Sequence, residues 1–147
     1  MNARVQNAVT GRLSLRPPQA ESLAKLVRAI EAAPELLGHD QDVAAILATL
    51  KGEFPTLEDF ERDFPSLCFS LATGVGKTRL MGAFIAYLHL AHGINNFFVL
   101  APNLTIYDKL IADFTPNTPK YVFKGIGELA INAPRIITGD NYDQQNI

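Results

Sequence analysis

Seven consecutive residues, Ala72-Thr73-Gly74-Val75-Gly76-Lys77-Thr78, carry the residue types that hold phosphate. Gly74 and Gly76 remove side chains that would block close backbone approach, Lys77 can reach terminal phosphates, and the Thr78 hydroxyl suits Mg²⁺. Lys77 and Thr78 are therefore the expected catalytic pair, with Thr78 as the metal ligand. The context agrees with that chemistry. The apolar run Ser66 to Ala72 predicts a buried strand before the loop, and Leu80, Met81, Phe84, Ile85 and Leu88 predict a helix after it, ended by Gly93. A strand, a glycine-bearing turn and a helix N-terminus together aim backbone N–H groups and a positive dipole end at one anion. The P-loop string GxxxxGK[ST] lacks one member, because Leu71 stands where its first glycine falls.

The elements that must position this loop follow from apolar spacing and caps. Pro17 and Pro18, followed by Leu23, Leu26, Val27 and Ile30, predict a helix over 19–33. Asp40 is the expected cap of a second helix carrying Val43, Ile46, Leu47 and Leu50 and closed by Gly52. Thr56 with Asp59 resembles a capping box opening a short acidic helix through Phe64. Beyond the loop, the runs FFVLAP, YVF and RIIT read as further strands, and Asn103 caps a helix with Leu104, Tyr107, Leu110 and Ile111. Strand alternates with helix, which predicts an α/β fold around a parallel sheet. Residues 1–64 form a helical segment and 65–147 the phosphate-binding part of one structural unit.

Composition narrows the function classes. With 147 residues, 48% hydrophobic and 19% charged, and a mean hydropathy of +0.08, the chain is neither disordered nor a disulfide scaffold. Cys68 is the single cysteine, so neither an internal disulfide nor a multi-thiolate metal site can form; on a buried strand it is expected to be a packing residue. Thirteen Lys+Arg against fifteen Asp+Glu leave −2, so any nucleic-acid site must be local. Residues 1–30 are basic, while residues 31–64 carry Glu31, Glu35, Asp40, Asp42, Glu53, Glu58, Asp59, Glu61 and Asp63 against Lys51 and Arg62. That acidic block reads as a solvated face. Residues 80–107 hold no Asp, Glu, Lys or Arg, but His89, His92, Gly93, Asn95, Asn96, Pro102 and Asn103 break them up, so no membrane span is expected. The N-terminus lacks the apolar core of a secretory signal, and a cytoplasmic location is expected. His39, His89 and His92 do not make a ligand set, and Asp140 and Asp143 suit turn formation.

The loop LATGVGKT resembles motif I of the superfamily 2 helicases, which often lack the first glycine. Ser14-Leu15-Arg16-Pro17-Pro18-Gln19 resembles their Q motif, and Val99-Leu100-Ala101-Pro102-Asn103-Leu104 their motif Ia. More narrowly, SLCFSLATGVGKTRLMGAFIAYLH with GINNFFVLAPNLTIYDKL is similar to the Res subunit family of type III restriction enzymes, from about Leu15 to Ile147. The resemblance implies a RecA-like P-loop lobe in an ATP-dependent helicase or translocase. It implies ATP and Mg²⁺ bound by Arg16, Gln19, Ala72, Thr73, Gly74, Val75, Gly76, Lys77, Thr78 and Arg79, with the Gln19 amide reading adenine. It implies nucleic-acid contacts at Pro102, Asn103 and Thr138, with DNA favoured over RNA though no residue here separates the two, and a modification subunit as partner.

The chain departs from that family at Pro18 and in the 58-residue gap from Gln19 to Lys77. No apolar run ends in Asp-Glu: Arg135-Ile136-Ile137-Thr138-Gly139-Asp140 comes nearest and better suits motif Ib. The expectation is a partial lobe that binds ATP without hydrolysing it. A non-catalytic nucleotide-binding or protein-interaction module is the alternative, and a small P-loop kinase is disfavoured because no Arg-rich clamp or lid segment is evident.

Overall fold

The computed structural model describes residues 2–144. Six α-helices are defined among them: α1 (Asn2–Arg12), α2 (Pro17–Ala32), α3 (Val43–Glu53), α4 (Lys77–His92), α5 (Leu104–Phe114) and α6 (Gly127–Ile131). Short 3-10 turns occupy Pro34–Leu37 and Tyr142–Gln144.

The principal core lies where α1 and α2 pack on α4. Val9, Leu13, Leu23, Val27 and Ile30 meet Ala83, Ala86 and Tyr87, and Tyr121, Phe123 and Ile126 from the preceding turns close the cluster with Leu129 of α6. Helix α1 was not expected, although Val5, Val9 and Leu13 recur every fourth residue. It ends on Ser14, which takes a left-handed φ of 51° while Leu15 N–H donates back to the Thr10 carbonyl. A second cluster of Ala29, Ala33, Ile46, Leu50 and Phe60 joins α2 to α3.

Among the described residues there is no β-strand and no sheet. The expected α/β fold with a parallel sheet, and the partial RecA-like lobe built on it, are therefore corrected to an all-helical arrangement with irregular connections. Apolar runs report burial, whereas a strand needs a partner whose N–H and C=O groups meet its own. The run 66–72 finds a helix instead of a ladder: Phe69 sets its ring edge against Phe84 of α4 at 4.8 Å, while Leu67 packs on the second cluster. Only one side is covered, so Cys68 is exposed and is not the buried packing residue expected. In FFVLAP, Phe98 and Leu100 are 88% and 78% exposed. The YVF run is folded into tight turns, with Lys124 N–H on the Tyr121 carbonyl and Ile126 N–H on the Phe123 carbonyl. RIIT runs irregularly into a turn at 139–141.

Smaller corrections have local causes. The cap of α3 is Asp42, whose Oδ1 accepts from Ala45 N–H at 3.1 Å, not Asp40. The helix runs past Gly52 to Glu53. No helix forms over 56–64, because Asp59 Oδ1 accepts from Glu61 N–H two residues on, at 2.9 Å, instead of pairing with Thr56. A helix there would also stack Glu58 on Glu61 and Asp59 on Asp63, like charges one turn apart.

Candidate functional site

The loop 72–76 delivers the chain into α4 through two glycines with left-handed backbones, Gly74 at φ 82° and Gly76 at φ 94°. Both conformations are strained for any residue with a Cβ. Gly76 is the N-cap of α4, and no side chain caps it, so N–H groups of the first turn remain available to a ligand. Lys77, the first helical residue, is exposed, as are Ala72, Thr73 and Gly74, while Val75 and Thr78 are half-buried. Space around Gly74 is open, with nothing within 4 Å of where a Cβ would sit. These features fit a bound polyphosphate, since a helix N-terminus, bare backbone and one exposed lysine meet at the same loop.

The opposite side of the loop is fastened to the N-terminal segment. Gln19, in the first turn of α2, is 2% exposed. Its Nε2 donates to the carbonyls of Val75 and Gly76, both at 2.8 Å, and its Oε1 accepts from Arg16 N–H at 2.8 Å. A Cβ on Gly76 would stand 2.5 Å from Gln19 Nε2. Arg79 turns the same way, its Nη1 donating to the Leu13 carbonyl at 3.0 Å. The structure thus brings Gln19 to Val75 and Gly76, but sends the Arg79 guanidinium to the end of α1. Arg16 contributes its backbone N–H to Gln19 and is otherwise exposed.

Thr78 has a neighbour that spacing alone did not suggest. Lys109 Nζ on α5 lies 3.4 Å from Thr78 Oγ1 and 2.8 Å from Oδ2 of Asp113, which is 7% exposed. Lys109 and Asp113 are four residues apart on one helix, a pairing visible in the sequence, yet nothing there places it beside residue 78. One hydroxyl is a sparse metal site, but Mg²⁺ keeps several waters and takes phosphate oxygens, so Thr78 is compatible with it. No group of three or more His, Cys, Asp or Glu able to hold a metal occurs among the described residues.

The residues assigned to nucleic acid sit elsewhere. Asn103 Oδ1 accepts from Ile106 N–H at 3.0 Å and caps α5, and Pro102 is exposed before it. Thr138 N–H donates to Asn141 Oδ1 at 2.8 Å, and Asn141 N–H donates to the Thr138 carbonyl, closing a turn that includes Asp140. Thr138 and Ala101 both line an open groove of about 490 Å³ between the 95–101 and 134–138 segments, floored by Tyr107, Leu110 and Phe114. No residue of the phosphate loop lines it. The helix-end histidines make local contacts: His89 Nδ1 lies 3.0 Å from the Ile94 carbonyl, and His92 Nε2 lies 3.1 Å from the Tyr87 hydroxyl. No helix among the described residues is long and apolar enough to cross a membrane.

No curated protein and no solved structure matches the chain. The family described as type III restriction enzyme, res subunit, matches residues 12–147, a span holding the Arg16–Gln19 turn, the phosphate loop, the Asn103 cap and the groove. At family level that match brings helicase-like, ATP- and Mg²⁺-dependent work on nucleic acid, with restriction as its setting. On a match covering nearly all of its length, the chain belongs to the type III restriction enzyme Res subunit family.

Proposed function

We propose that this chain is the ATP-binding part of an ATP-dependent DNA helicase or translocase, and that the 72–79 loop takes the polyphosphate. The observation that carries this reading is the uncapped start of α4, preceded by Gly74 and Gly76 in left-handed conformation and bearing exposed Lys77 at its first position. Lys77 would supply positive charge to the phosphates, backbone N–H groups of the loop would donate to them, and the Thr78 hydroxyl would be the protein's ligand to the metal. Mg²⁺, when bound, neutralises charge on the phosphates. Pro102, Asn103 and Thr138 supply neutral contacts to a DNA backbone, which suits a chain with a net charge of −2. A cytoplasmic setting fits the exposed, unpaired Cys68, and a modification subunit fits as partner to a family described as a subunit.

No Asp-Glu pair follows an apolar run in these residues, so the 147-residue chain binds ATP without turning it over. Titration calorimetry with Mg-ATP tests the core of the proposal. Lys77→Ala is expected to weaken binding about tenfold or more, the size of one lost charged contact; equal affinity for the two proteins would refute the loop assignment. The non-catalytic module shares this loop and differs only in belonging to no motor, which DNA-stimulated turnover in a longer chain decides.

A further inference from the structure

We propose that Lys109 is a built-in counter-cation of the candidate site, held against the Thr78 hydroxyl by Asp113, and that it lets the phosphate loop take a polyphosphate without Mg²⁺. This rests on the nucleotide-binding role given to the loop above. Lys109 Nζ lies 3.4 Å from Thr78 Oγ1, the hydroxyl assigned to the metal, so positive charge already stands beside that oxygen. An ammonium has three donors and no acceptor. One is directed at Thr78 Oγ1 and one at Asp113 Oδ2, 2.8 Å away, which leaves a third for a phosphate oxygen. The Lys109 side chain is 59% exposed, so a ligand can reach it.

The core, and not the flexible lysine stem, sets where this charge sits. Asp113 is 7% exposed, and its backbone carbonyl accepts from Val122 N–H at 2.8 Å. The next residue, Phe114, sets its ring edge against Phe123 at 5.5 Å. One turn earlier on α5, Lys109 is drawn to that fixed carboxylate, which removes rotamers a free lysine would populate. The pair is neutral overall, yet its carboxylate is buried and its ammonium exposed, so a ligand at the loop meets the positive end. Lys77 and Lys109 then approach from separate helices, Lys77 from the first turn of α4 and Lys109 from α5, 31 positions beyond Thr78. Lys109 also opposes a second cation at the same oxygen, because like charges repel. Its presence lowers what Mg²⁺ adds to binding, compared with a loop served by Lys77 alone.

Affinities with and without metal read this directly. ATP and inorganic tripolyphosphate are titrated by calorimetry, in Mg²⁺ and in EDTA, into wild type, Lys77→Ala, Lys109→Met, Lys109→Arg and the double variant Lys109→Met with Asp113→Asn. The double variant leaves no buried carboxylate unpaired, so it reports even where Lys109→Met alone unfolds; thermal melts check folding. In EDTA both methionine variants are expected to bind about tenfold more weakly than wild type, the size of one charged hydrogen bond, and in Mg²⁺ to bind equally well or more tightly. Lys109→Arg keeps the charge and should stay close to wild type. Equal loss in both conditions makes Lys109 an ordinary contact and overturns the proposal, as does no loss in either, or no binding by wild type in EDTA. If Lys77→Ala weakens binding while the metal dependence is indifferent to residue 109, the loop assignment stands and this proposal alone fails; if wild type binds neither ligand in Mg²⁺, both fail.

Discussion

Asn103 separates a helix cap from a nucleic-acid contact, because the two roles respond differently to a single atom. Its Oδ1 accepts from Ile106 N–H at 3.0 Å at the start of α5. Asn103→Ala removes that acceptor and leaves an orphan N–H, a loss of about 1 kcal/mol for a cap of this kind. In a chain of this size 1 kcal/mol moves the melting temperature by roughly 2–4 °C. Asn103→Asp keeps the oxygen at the same place and adds negative charge beside a helix N-terminus, so the melt is expected to stay within about 1 °C of wild type or rise slightly. A DNA phosphate near residue 103 meets the opposite outcome: the aspartate repels it, while alanine loses only one neutral contact. The assay pairs thermal melts with fluorescence anisotropy on a short single-stranded DNA at low salt. The expected order is Ala below Asp in stability and Asp below Ala in DNA affinity. Indistinguishable DNA binding by Asp and wild type would refute the contact and leave Asn103 as a cap alone.

Four further outcomes follow from the packing and the site. Gly82→Ala is expected to destabilise by about 1–2 kcal/mol in chemical denaturation, despite alanine's better helix propensity, because its Cβ would stand 2.5 Å from Val122 Cγ2; Val122→Ala should restore most of the loss. Tyr121→Phe should lose about 1–3 kcal/mol, since the buried Leu129 carbonyl then forfeits the hydroxyl that donates to it at 2.6 Å. Burial raises the pKa of Tyr87, with Glu31 adding to it, and burial also raises that of Tyr121. Their folded values lie above the unfolded ones, so their contribution to stability is complete below about pH 10 and is lost as pH climbs through the folded values. Urea midpoints should show that fall, and Tyr121→Phe should lessen it. Phosphate release by the 147-residue chain, with or without DNA, should equal that of Lys77→Ala, and a Lys77-dependent excess would show that a carboxylate such as Asp140 completes the metal site.

Helix positions were readable because their signals are local. Pro17 and Pro18 open α2, Asn103 caps α5, and Gly93 closes α4 with its N–H on the His89 carbonyl and φ at 67°. The glycines at 74 and 76 were read as room for close backbone approach, and the structure adds that both are left-handed. Strands failed because pairing is a property of two segments: Leu67 and Phe69 show the burial of a strand, yet what buries them is a helix and a neighbouring cluster. The acidic helix failed because Asp59 had a nearer partner than Thr56. In the candidate site, the residues at 72–78 were named from their types and order alone, while the Gln19 bonds to Val75 and Gly76, the Arg79 bond to Leu13 and the approach of Lys109 to Thr78 depend on tertiary contacts across 31 to 66 residues. Helix α1 was missed because its apolar stripe is only Val5, Val9 and Leu13.

Packing of α1 and α2 against α4 also sets a timetable for synthesis. The stripe of Val9, Leu13, Leu23, Val27 and Ile30 leaves the ribosome well before Ala83, Ala86 and Tyr87 exist to cover it. At roughly 5–20 residues per second, the wait from Ile30 to Tyr87 is several seconds, long compared with the microseconds in which helices form. During that interval a preformed helical pair carries a bare apolar seam, the kind of surface that chaperones recognise. Arrival of α4 covers the seam and, through Gln19 and Arg79, shapes the phosphate loop in the same event. Nascent chains stalled before residue 77 should therefore be chaperone clients, and those stalled well past residue 92 should not.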